Sequence, residues 1–336
     1  MKKIFVALIL LLVFCIPGLA QYTKFTPLLT PAKGSNLVPI SINNANQILA
    51  TYTNATGQRK LIFAGTKGFT NVNIPLDTST VSLSPLGLNN VGDFFGAASR
   101  LIGLNRIDAA FTKCHTTGPL RYFKIPGALG TVITGINDKG VMVGYYWEPN
   151  TDPDTPDWAP NVVNGFKSVL PNSGIFPPIE SFEGSWATSV YLTGINNNGD
   201  IIGYQHYKYE PNSDEDIIFE RGYLFSKGQW HELQLDLGEG NRWILIPLGI
   251  NNHGVIVGRA HPIDGHGMPS RGFIWENGVV SLVDYPSTSD ENDLPIVQTL
   301  YTSLVGVNDS GVILGAESSQ LFWSQDTVKG GFILTK

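Results

Sequence analysis

Acidic and aromatic residues gather in four stretches: Asp152, Asp154, Asp157 and Trp158; Glu180, Glu183 and Trp186; Tyr207, Tyr209, Glu210, Asp214, Glu215 and Asp216; and Asp284, Tyr285, Asp290, Glu291 and Asp293. Flat rings beside carboxylates can stack on sugar faces or cap basic peptides. Trp158, Trp186, Tyr207, Tyr209, Asp214, Glu215 and Asp290 are therefore the candidate ligand-binding residues. The plainer reading of the same stretches is a set of solvated loops, each with an anchoring ring. Asp152, Asp154 and Asp157 place three carboxylates on one short loop, as a hard cation requires. That loop lacks the Gly and the distal Glu of an EF-hand loop, and Pro153 and Pro156 stiffen it. The expectation is a chain without cofactor, with calcium at this loop as the alternative.

Other chemistry is less well served. His261, Asp264 and His266 lie close together, and His253 is not far away, but no His-Glu-x-x-His or Cys-x-x-Cys pattern accompanies them. An exposed polar loop accounts for them. There is no Gly-x-Ser-x-Gly elbow, and Gly65-Thr66-Lys67-Gly68 lacks the spacing of a phosphate loop. No catalytic residue is assigned. Paired loop carboxylates could still supply an acid and a base for glycoside cleavage, which keeps a hydrolase or lyase in view.

The ends and the charge narrow the field. Lys2 and Lys3, the apolar run from Ile4 to Ile16 and the small-residue pattern Gly18-Leu19-Ala20 read as a secretory signal peptide over residues 1–20. The run is shorter than the roughly 20 residues that span a bilayer, so no transmembrane segment is expected in the mature chain. The expected location is secreted or periplasmic. Without the leader, 20 basic side chains face 28 acidic ones, which makes nucleic acid a poor partner. Cys114 is then the one remaining cysteine, and it reads as a small packed side chain.

What must position these residues is a repeat. Asn43, Asn89, Asn137, Asn196, Asn251 and Asn308 recur at spacings of 46, 48, 59, 55 and 57 residues. Three residues after each stands Asn46, Gly92, Gly140, Gly199, Gly254 or Gly311, and seven after stands Ala50, Gly96, Gly144, Gly203, Gly258 or Gly315. Asn followed three residues later by Gly is a type I turn closing a hairpin, with the last residue left-handed. Asn46 is the residue that best replaces Gly there. The strand after the turn opens on two successive apolar residues, such as Ile201-Ile202, so both of its faces are expected to be buried. The following Gly leaves room for a close backbone or ring. Second hairpins such as Gly222 to Leu233 and Gly272 to Leu282 complete four short strands in about 50 residues, the size of one propeller blade.

The pattern Gly-Ile-Asn-Asn-x-Gly-x-Ile-x-Gly, followed by Gly-Phe-Ile-Trp-x-x-Gly, resembles the HAF-type probable extracellular repeat family of bacteria over about residues 40–336. Copies one and two depart from it, with Ser41 and Ala50 in place of glycines. The resemblance implies an exported, propeller-like protein and assigns no activity. The reading is an all-β chain: one six-bladed β-propeller over residues 21–336, with repeats at about 40–85, 86–133, 134–192, 193–247, 248–304 and 305–336. The ring closes either by pairing Tyr22 to Leu29 with the C-terminal strand or with Gly331 to Thr335 completing the last blade unaided. Long links collect on the face opposite the Asn turns, so a glycan or peptide partner is expected there. A structural surface scaffold is the third reading.

Overall fold

The structure, a computed structural model, describes residues 22–114, 118–151, 161–169, 180–182, 188–208, 218–236, 242–262, 270–286, 288–289, 295–321 and 327–336. The expected leader, residues 1–20, lies outside them. All regular structure among the described residues is β-strand, and every strand pairing is antiparallel. No helix among them is long and apolar enough to cross a membrane.

The strands form five sheets in a propeller-like arrangement. Three have four strands: Ser35–Ile42, Ile48–Thr53, Arg59–Ala64 and Phe69–Asn71; Thr80–Leu88, Phe94–Ile102, Asn105–Lys113 and Leu120–Phe123; and Gly130–Ile136, Val141–Pro149, Asn161–Val169 and Glu180–Phe182. An eight-stranded sheet runs through Thr188–Ile195, Ile201–Lys208, Ile218–Ser226, Gln229–Asp236, Arg242–Ile250, Ile256–Pro262, Arg271–Glu276 and Val279–Val283. The fifth has the order Lys24–Pro27, Thr327–Thr335, Ile313–Leu321, Pro295–Val307 and Thr288–Ser289.

Six separate four-stranded sheets were the expectation, and the difference has a local cause. Gln234, Leu235 and Asp236 pair with Ile244, Trp243 and Arg242, which joins the outer strand of the fourth repeat to the inner strand of the fifth. The N-terminal strand closes the fold: Lys24 to Pro27 pair in register with Thr335 to Phe332. Leu28 adds an N–H···O bond to Gly331 at 2.8 Å, and Phe25 packs on Phe332 with ring centroids 5.3 Å apart. Of the two modes of closure left open by the sequence, the N-terminal one is used.

The six strands that lead into the Asn turns neighbour one another in a closed cycle and so form the inner wall. Each has a β-bulge just before its turn, for example between Ile133 and Gly135 and between Pro247 and Gly249. Bulges raise local twist and re-aim the strand end, which suits strands converging on an axis.

The core lies between neighbouring sheets. The apolar doublet after each turn divides between two clusters: Ile48 packs with Leu314 and Ile62 while Leu49 packs with Phe94 and Phe111. Ile201 joins Val143 and Leu192, and Ile202 joins Leu245 and Phe273. One residue of the pair faces each neighbour, which is why the strand does not alternate polar and apolar. At Gly258 a Cβ would run into the Ile246 carbonyl oxygen and the Phe273 ring. That position holds glycine because a ring from the third strand occupies the space a side chain would need.

Candidate functional site

Two places could carry function, one at each end of the inner wall. At the Asn-turn end the geometry is set by backbone demands. The residue three after each Asn has positive φ, 58° at Asn46 and between 75° and 89° at the five glycines. The Oδ1 of each Asn accepts the N–H four residues on, at 2.8 to 3.0 Å in all six turns. The amide group then leaves its own repeat. Nδ2 of Asn43, Asn137, Asn196, Asn251 and Asn308 donates to the backbone carbonyl of the corresponding Asn in the next repeat, at 3.0 to 3.3 Å. The last of these bonds, Asn308 to Asn43, ties the sixth repeat to the first.

A second ring lies one residue further on: Asn44, Asn90, Asp138, Asn197, Asn252 and Asp309. Each backbone N–H donates to the side-chain Oδ1 of the next member, at 2.7 to 3.2 Å. The four carboxamides deliver their Nδ2 donors to the two carboxylates, Asn90 and Asn197 to Asp138, Asn252 and Asn44 to Asp309. Burial pushes the Asp309 pKa up, but the donors from Asn252 and Asn44 outweigh it, and the net shift is downward. The rings line an axial cavity of about 110 Å³ with apolar Ile42, Leu88, Ile195, Ile250 and Val307 among its walls. Each carboxamide of the second ring spends one Nδ2 donor on a carboxylate of the same ring. This end is a clasp, and turn formation is only half of what its asparagines do.

The other end is chemically different. Tyr191 and Tyr204 are backbone partners on adjacent strands, and their rings stack with centroids 4.9 Å apart and planes 15° from parallel. Tyr145 from the preceding repeat meets Tyr191 edge-on at 5.0 Å, so three phenols span two sheets. Tyr145 and Tyr204 each follow a register glycine, Gly144 and Gly203, on the side away from the Asn turns. Burial raises all three hydroxyls above the usual phenol range, and Glu220 adds to the rise at Tyr191 and Tyr204. They remain neutral donors at any physiological pH. A cavity of about 290 Å³ borders Tyr204 and is lined also by Val190, Leu192, Gln205, Tyr223 and Trp230. Trp230 packs on Phe225 at 4.9 Å and on Tyr223 at 6.1 Å.

Charged groups adjoin the stack. Glu220 Oε2 lies 3.5 Å from His261 Nε2 in the next repeat. Burial lowers the His261 pKa and Arg259 lowers it further, with Glu220 opposing both. Arg259 also acts on Tyr204 and Tyr301, and Glu317 on Tyr301 and Tyr285.

The residues chosen from the sequence mostly fall elsewhere. Trp158, Trp186, Tyr209, Asp214, Glu215 and Asp290 lie outside the described residues, as do Asp152, Asp154 and Asp157. Tyr207 is in the strand Ile201–Lys208, opposite Thr188 and Phe219. Among the described residues no three His, Cys, Asp or Glu side chains are grouped to hold a metal ion. The tyrosine trio was missed because its members look like ordinary strand aromatics. Comparing the residue after the register glycine in each repeat would have found two of them.

No family model matches the chain, and neither does any curated protein. Solved structures are similar at low identity. An alpha-L-arabinanase from Penicillium chrysogenum, in complex with arabinobiose, is 12% identical with a TM-score of 0.46, covering 93% of this chain and 96% of that one. An acylaminoacyl peptidase from Pyrococcus horikoshii is also 12% identical, with a TM-score of 0.45 over 88% of this chain. A prolyl endopeptidase is 10% identical, with a TM-score of 0.34 over 86% of this chain. The chain spans only 45% and 55% of the lengths of those two peptidases.

Proposed function

We propose that the chain is an exported binding module that takes a glycan at the end of the inner wall opposite the Asn turns. The observation that carries this reading is the stack of Tyr145, Tyr191 and Tyr204 beside the Glu220–His261 pair. Planar rings with neutral hydroxyls offer both the stacking surface and the hydrogen bonds that a sugar ring uses. Counting the eight-stranded sheet as two repeats, by its two Asn turns, gives a six-bladed ring of the HAF-like kind.

The experiment is a glycan array followed by calorimetry with the full secreted chain. Tyr204→Ala should weaken binding of the captured glycan by about 1 to 3 kcal/mol, as expected for a lost stacking ring, while Tyr204→Phe loses less. Binding indifferent to both changes would remove the site, and capture of peptides alone would replace glycan by peptide. Release of reducing sugar from the bound glycan would move the reading to a hydrolase with paired carboxylates.

A further inference from the structure

The residue that follows the register position occupies an equivalent place in every repeat: Thr51, Ala97, Tyr145, Tyr204, Arg259 and Ala316. Three are large and fall in consecutive repeats, while the other three are small. The large set therefore forms one continuous arc, with Arg259 at its end beside the tyrosine stack. Arg259 is exposed, and among the described residues its guanidinium makes no hydrogen bond or ion pair. The two carboxylates in its neighbourhood are otherwise placed. Glu220 faces His261 at 3.5 Å, and Glu317 is buried, with its carboxylate against Gly330. Its charge acts on the hydroxyls of Tyr204 in the preceding repeat and Tyr301 in the following one.

An unpaired guanidinium next in register to a row of tyrosines has a defined use. Its planar fork matches the two oxygens of a carboxylate, and its two parallel N–H donors give a bidentate contact. We propose that Arg259 anchors the carboxylate of an acidic sugar, so that the glycan held at the tyrosine stack is a uronate polymer. This rests on the glycan-binding reading above. A net acidic chain repels polyanions at long range, so the contact works at short range and its affinity falls as salt rises.

The test uses matched probes: oligogalacturonate and oligomannuronate as free acids, and the same oligomers as methyl esters, which keep the backbone and lose the charge. The native chain should bind one free acid about tenfold more tightly than its ester, the value of one charge-assisted bidentate contact. Arg259→Gln should bring the acid down to the ester's affinity and leave the ester unchanged, and Arg259→Lys should recover part of the difference. An unchanged thermal midpoint shows that the variants fold, as expected for an exposed side chain without bonds. Equal affinity for acid and ester, or capture of neutral glycans only, overturns the uronate inference and leaves the glycan site standing. Failure to bind any carbohydrate, charged or neutral, overturns both.

Discussion

Asn251 is 5% exposed, and its side chain makes three bonds: Oδ1 accepts the N–H groups of His253 at 3.0 Å and Val255 at 2.9 Å, and Nδ2 donates to Asn308 O at 3.0 Å. Replacing it with alanine orphans the buried Val255 N–H, at a cost of about 1–3 kcal/mol, and removes the bond between repeats, worth about 0.5–1.5 kcal/mol. Asn308 O keeps its bond from Gly311, so it adds little. The sum is about 1.5–4.5 kcal/mol. Unfolding entropy near 2.1 cal/mol/K per residue amounts to about 0.7 kcal/mol/K for a chain of this length, so Tm should fall by about 2–6 °C. Asn54 is the internal control. Its Oδ1 accepts from Thr56 and Gln58 in the same turn geometry, but in the open and with no reach to another repeat. Water replaces those bonds, so Asn54→Ala should lower Tm by only about 1 °C. Differential scanning calorimetry on both variants decides the matter. Equal drops would refute the claim that the asparagines clasp neighbouring repeats.

Two further outcomes are expected. The Asp309 pKa is lowered in the fold, so its contribution is fully present above the unfolded value of about 3.9 and is lost as pH falls through the folded value. Asp309→Asn, which puts an amide where two amides already point, should destabilise the chain at neutral pH and flatten its stability profile below pH 4, read by urea titration at a series of pH values. Deleting residues 22–29 strips Phe25 and Leu28 from the last sheet and bares the edge of Thr327–Thr335. Tm should fall by more than for Asn251→Ala, and size-exclusion chromatography should show concentration-dependent association through that edge. A deletion variant that melts with the full chain would mean the last sheet is complete without it.

The repeat was legible because its punctuation is local. Asn at one position and Gly three later is dictated by turn geometry, and Asn46 shows the same rule with a different residue. The apolar doublets likewise foretell a strand buried on both faces. Pairing of Leu235 with Trp243 was not legible, since it depends on how two strand ends meet across a link, and neither was the choice of closing strand. The second Asx ring escaped because one role, the turn, already explained its neighbourhood, and its partners lie 46 to 265 residues away. Composition drew attention to acidic, aromatic loops. Tyr145, Tyr191, Tyr204 and Arg259 stand inside regular strands, where only comparison in register separates them from core residues.

The second ring also bears on how such a chain can change over generations. Its members run Asn, Asn, Asp, Asn, Asn, Asp, and every amide turns toward an acid. Loss of the repeat carrying Asp138 would leave the amides of Asn90 and Asn197 without the carboxylate that both donate to, and loss of a repeat carrying Asn would leave a carboxylate short of a donor. Gain or loss of a single repeat by recombination therefore carries a penalty at the seam, whatever the rest of that repeat looks like. Copy number is inherited as part of a donor and acceptor pattern, and it can shift without penalty only when the positions of the acids shift with it.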